Sequence, residues 1–141
     1  MFKNFFKKKE KINLNNNSTL IVALLIHAAK IDQNYTDAEK KIIKKTIMQM
    51  NETNNEEAER LLILAEKKEE ESNQIVEFTR EIKKYPMEFR LKIIEIIWKI
   101  VYSDGTNDNY ESSLIRRICG LLYISDKDNG VIKTKVQNLL K

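Results

Sequence analysis

Two acidic pairs in this chain share one spacing: Asp32 precedes Glu39 by seven residues, and Asp104 precedes Glu111 by seven. In each, the Asp closes an apolar helical run and the Glu falls in the first turn of the next helix. Carboxylates drawn together repel unless a cation, a proton or a base sits among them. An all-oxygen donor set selects hard divalent ions, Ca²⁺, Mg²⁺ or Mn²⁺ ahead of Zn²⁺. The four acids are therefore the candidate metal ligands. A structural role competes with that reading. Thr36-Asp37-Ala38-Glu39 spells a capping box, in which the Thr hydroxyl accepts from an early amide and the Glu reaches back. Acids in a first turn also suit the helix dipole, and Asp32 and Asp104 can serve only to shape their loops.

Other chemistry is sparse. Asp104-Gly105-Thr106-Asn107-Asp108 alternates oxygens as a calcium loop does, but its Gly is second rather than sixth and its twelfth position is Ile115. The run from Asp126 fails in the same way, with Gln137 at position twelve. His27 is the one histidine, at the edge of an apolar face, where a hydrogen-bonded structural role outweighs general acid–base work. Lying five residues before Asp32, it is also placed to add a nitrogen to a nearby cation. Cys119 sits among apolar positions and reads as a small core residue, as does Trp98. No nucleophile elbow, phosphate loop or dinucleotide fingerprint is present in the sequence. No catalytic residue and no organic cofactor are expected, so the chain is read as a non-enzyme.

The elements that position these residues are helical throughout. Three glycines and one proline in 141 residues leave little material for sandwich or barrel turns. Leu20, Leu24, His27 and Ile31 give the first helix from Ser18. The Thr36 box opens a second, through Ile42, Ile43, Ile47 and Met50. Asn54 or Asn55 starts a third, whose EKKEEES tail reads as solvated. A fourth spans about Ser72 to Lys84. Pro86 ends it and suits the head of a long apolar helix, Met87 to Tyr102. Asp108 to Glu111 repeats the cap pattern for a sixth, and Ser125 caps a seventh. The reading is all-α, with about seven helices. A shift of 72 residues carries Ile21–Ile26 onto Ile93–Trp98, Asp32 onto Asp104 and Glu39 onto Glu111, the mark of a duplicated unit in a pseudo-symmetric bundle.

Charge is unevenly distributed. Of 25 basic and 21 acidic residues, five lysines and one glutamate fall in residues 1–12, which leaves 20 of each sign in 13–141. The basic excess thus belongs to a tail, and a neutral body argues against a nucleic-acid groove. The adjacent Arg116 and Arg117 read as ion-pair donors. The tail, MFKNFFKKKEK, suits weak peripheral contact with an anionic membrane surface through residues 1–12; a frayed terminus is the alternative. The organisation is therefore a basic Phe/Lys tail and polar linker over 1–17, followed by one helical domain over 18–141. No apolar run reaches the length needed to cross a bilayer, and no secretory leader is expected. One cysteine permits no intrachain disulfide, so a reducing, cytoplasmic compartment is expected, if necessary at the inner face of the membrane.

W-K-I-V-Y-S-D-G-T-N-D-N-Y-E followed by L-I-R-R-I-C-G-L-L, in residues 98–122, resembles the second-half signature of the TerB-like, tellurite-resistance-type family. IHAAKIDQNYTDAEKKII is similar to its first-half counterpart, and the likeness spans roughly residues 19–132. The resemblance implies a duplicated bundle of about seven helices. It also implies a stress-related, non-enzymatic role with a cation proposed at Asp32, Glu39, Asp104 and Glu111. Related domains occur on a membrane co-chaperone, so a metal-free module binding an unidentified protein partner is the alternative. Three positions depart from the family pattern: Gln33 stands where it has Gly, and His27 and Lys99 stand where it favours Glu. Lys99 could thereby place its own ammonium where the ion would sit.

Overall fold

The computed structural model describes residues 14–31, 35–72, 74–103 and 109–139. Seven helices and no strand occur among them: α1 (Leu14–Ala29), α2 (Asp37–Asn51), α3 (Asn55–Glu71), α4 (Ile75–Ile82), α5 (Met87–Tyr102), α6 (Asn109–Leu121) and α7 (Asp126–Leu139). The all-α expectation holds. The Phe/Lys tail over residues 1–12 lies outside the described residues. No described helix is long and apolar enough to cross a membrane.

Local signals set most of the helix ends. Thr36 and Glu39 form the capping box at α2. The Asn54 side chain accepts the Glu57 amide at α3, and Ser125 Oγ accepts the Asp128 amide at α7. Each satisfies one of the donors that a helix head leaves unpaired. Pro86, which has no amide to lose, heads α5. Two boundaries differ from the sequence reading. Helix α1 begins at Leu14, inside the stretch read as linker, since nothing from Asn13 to Ser18 breaks a helix and asparagine is only a moderately poor helix former. Ser72 ends α3 rather than opening the next helix, which starts at Ile75.

Helix α1 packs against α2, α3, α4, α5 and α6. Its middle follows from that position: Ile21, Val22, Ala23, Leu24, Leu25 and Ile26 are all 0% exposed, as befits a helix apolar on every side. The largest buried side chains among the described residues are Trp98, Phe78 and Phe89. Shifting the starts of α1, α2 and α3 by 72 residues brings each within one residue of the start of α5, α6 and α7. The packing pairs follow the same correspondence, α1 with α2 and α3, then α5 with α6 and α7. Arg90 ties two chain segments together, donating from Nε to Tyr85 O at 3.0 Å and from Nη1 to Leu122 O at 2.6 Å. Just beyond Leu122 the chain leaves α6 through Tyr123, whose φ of 60° is the left-handed conformation common after helix ends.

Candidate functional site

The junction between α1 and α2 carries the one described member of the four-acid set. Glu39, at the third position of α2, is 2% exposed. Its Oε1 accepts the Thr36 amide at 2.7 Å while its own amide donates to Thr36 Oγ1 at 3.1 Å. The reciprocal bonds turn the carboxylate back onto the residue that caps the helix. The neighbouring Tyr35 donates its hydroxyl to Glu66 Oε2 at 3.0 Å. Burial first, then that hydrogen bond and the charges of Glu66, Glu39 and Glu69, hold the Tyr35 phenol far above its ordinary range. Negative charge is thus concentrated around Tyr35. The ammoniums of Lys30 and Lys40 lie 5.8 and 4.8 Å from the Tyr35 ring centre and partly balance it.

One turn further into the bundle, α1 and α3 meet through ions. Glu69 Oε1 accepts from Lys30 Nζ at 2.8 Å, and Oε2 lies 3.1 Å from His27 Nδ1. The Glu69 side chain is 11% exposed, so the α3 tail is not simply solvated. Its acids divide between those turned onto α1 and those facing water. A string of charges hides this in the sequence, because the partners lie 39 and 42 residues away.

A second cluster sits on α5, and sequence reasoning missed it. Glu95 is enclosed within the apolar α5 run and is met by three lysines: Lys135 of α7 at 3.0 Å, Lys99 at 3.3 Å and Lys92 at 3.5 Å. The available signal was a lone Glu inside IIEIIW, with lysines three residues before and four after it. Burial raises the pKa of Glu95, but the Lys135 bond and the charges of Lys92 and Lys99 outweigh it and hold the carboxyl below its usual range. A carboxyl depressed in the fold adds stability above its unfolded pKa, and that stability is lost as pH falls through the folded value. Urea midpoints measured between about pH 3 and 6 are therefore expected to fall more steeply in the natural chain than in Glu95→Gln. At neutral pH the variant is expected to be the weaker, because three lysines lose their counter-ion. Parallel profiles would show that Glu95 contributes nothing specific.

A family model described as Tellurite resistance protein TerB matches residues 18–134. The chain belongs to the TerB family. No curated protein gave a match, and neither did any solved structure. Against the TerB expectation of four acids around an ion, Asp32 and Asp104 lie outside the described residues, as does the Glu111 side chain in the first turn of α6. Among the described residues, no three His, Cys, Asp or Glu side chains come together as a metal site. Those described residues alone do not amount to a cation centre. Of the three positions that depart from the TerB pattern, Gln33 lies outside the described residues, and His27 has the hydrogen-bonded role that its place at the edge of an apolar face predicts. His27 is engaged by Glu69 and Lys99 by Glu95, so the described partner of each is a carboxylate outside the four-acid set. Cys119, buried on α6, has its thiol pushed up to about 12, first by burial and then by the charge of Asp126. That suits the core role read from the sequence.

Proposed function

We propose that this TerB-family chain is a non-enzymatic accessory domain of the stress and tellurite-resistance kind, acting in the cytoplasm. In this reading it takes a divalent cation at its two helix–loop–helix junctions. Asp32 and Glu39 would hold the ion in the first half, and Asp104 and Glu111 in the second. The observation that supports the reading is Glu39, buried at the head of α2 with its carboxylate on the Thr36 amide, beside a Tyr35 hydroxyl bonded to the Glu66 carboxylate. The matching starts of α2 and α6 extend it to the second junction. Hard carboxylate oxygens favour Ca²⁺, Mg²⁺ or Mn²⁺.

A second reading draws on a different observation. One Glu39 oxygen already serves the capping box, and Glu69 and Glu95 are neutralised by the protein's own cations. On this reading the acids are structural, and the domain is a metal-free module that binds another protein. Calorimetric titration of the full chain with Ca²⁺, Mg²⁺, Mn²⁺ and Zn²⁺ separates the two. Cation binding predicts saturable heat with at least one hard ion. It also predicts affinity about tenfold weaker or worse in Asp32→Asn/Glu39→Gln and in Asp104→Asn/Glu111→Gln. The Gln at position 39 keeps a side chain able to complete the capping box, so lost heat reports the ligand charge. No saturable heat with any ion would leave the metal-free module.

A further inference from the structure

Trp98, Arg116, Asp126, Asn129, Gly130 and Lys133 line an open cleft of about 240 Å³ where α5, α6 and α7 meet. The sequence reading gives Arg116 and Arg117 as ion-pair donors. Among the described residues neither has an acidic partner, and Lys133 and Asp126 likewise take part in no ion pair. A guanidinium from α6 and an ammonium from α7 therefore line one cleft without neutralising the carboxylate that lines it with them. Two cations on different helices, left without counter-charge around a shared space, suit an oxyanion.

The neutral lining adds to this. Lys133 Nζ lies 5.3 Å from the Trp98 ring centre, which seats the ammonium over the wall of the cleft. The Trp98 Nε1–H donates to Asn129 Oδ1 at 2.9 Å. That bond occupies the Asn129 oxygen, and the Nδ2 donors, without a partner among the described residues, remain for a ligand. Gly130 keeps the space open. Glycine inside a helix is disfavoured relative to alanine, yet a Cβ placed here would meet nothing within 4 Å, so the cleft is wider for its absence.

Asp126 narrows the choice of anion. An ionised carboxylate accepts hydrogen bonds and donates none, so it repels a bare anion and suits one that brings its own hydrogen. Sulfate brings none at neutral pH. A phosphate monoester, with a second pKa of about 6, has largely lost its own. Free hydrogen phosphate keeps an O–H.

We propose that this cleft is a binding site for free hydrogen phosphate, held by Arg116, Lys133 and the Asn129 amide, with Asp126 accepting the O–H of the anion.

Calorimetric titration of the full chain with sodium phosphate tests this, in metal-free buffer at low salt and about pH 8, well above the second pKa of a phosphate monoester. Metal-free buffer keeps the result independent of any cation at the helix–loop–helix junctions. Saturable heat is expected. Arg116→Gln and Lys133→Gln are each expected to weaken binding about tenfold or more, and Arg117→Gln, whose side chain does not line the cleft, by less than about twofold. Sulfate and glycerol phosphate are expected to bind the natural chain about tenfold more weakly than phosphate, and Asp126→Asn to remove that difference. No saturable heat with phosphate would overturn the proposal. So would unchanged affinity in Arg116→Gln and Lys133→Gln, an equal loss in Arg117→Gln, which marks diffuse attraction to surface cations, or sulfate bound as tightly as phosphate.

Discussion

Trp98→Ala is expected to destabilise the protein by about 3–5 kcal/mol, read as the drop in urea midpoint at constant slope. The indole is 1% exposed and its Nε1–H donates to Asn129 Oδ1 at 2.9 Å, joining α5 to α7. One face stacks near Tyr102, with ring centres 5.5 Å apart, and Lys133 Nζ lies 5.3 Å from the ring centre. Truncation removes the ring, opens a cavity and strands the Asn129 acceptor, three losses at one helix contact. Trp98→Phe keeps most of the apolar surface and loses the donor, so its cost is expected nearer 1–2 kcal/mol, roughly one hydrogen bond and a small void. Because Trp98 is the chain's sole tryptophan, the measurement must use circular dichroism rather than its fluorescence. A Trp98→Ala cost below about 1 kcal/mol would show that α7 is held by other contacts.

Leu24→Ala is the second large effect, expected at about 2–5 kcal/mol. Leu24 lies at the middle of α1 with no exposed surface, and α1 is walled in by five helices. Relaxation around the deleted atoms is limited, since no neighbour can close the gap without leaving another helix. Val131→Ala, 62% exposed on α7, is the matched control, expected within about 0.5 kcal/mol of the natural chain. Equal losses at the two positions would contradict the central placement of α1.

What the sequence made legible was governed by local rules. The Thr36 box, the Asn54 and Ser125 caps and the Pro86 helix head each depend on residues within a few positions of one another, and each stands in the structure. Apolar periodicity likewise found the buried faces of α2 to α6, but on α7 only Val136 of the apolar set Val131, Ile132, Val136 and Leu139 is buried, and Val131 and Leu139 are exposed. Features made by partners distant in the chain were not legible. The EKKEEES tail looked uniformly solvated until α1 placed His27 and Lys30 against Glu69. Glu95 looked like one acid in an apolar helix until α7 brought Lys135 to it. Patterning reports which side of a helix is buried, not which helix covers it. The four-acid site is legible only in its spacing. Of its members only Glu39 has a described side chain, and spacing cannot distinguish an ion ligand from a cap, because both put an acid in the first turn of a helix.

The burial of α1 has a consequence for how the protein is made. Its apolar core, Ile21 to Ile26, leaves the ribosome well before α5 and α6, which cover it in part and end at Tyr102 and Leu121. At about 5–20 residues per second, the chain carries that greasy segment only partly covered for several seconds before its last partners exist. The first four helices cannot close over it alone, so a nascent chain halted after α4 would present a sticky stripe rather than a folded half. Complete cover of α1 thus waits until Leu121 has emerged.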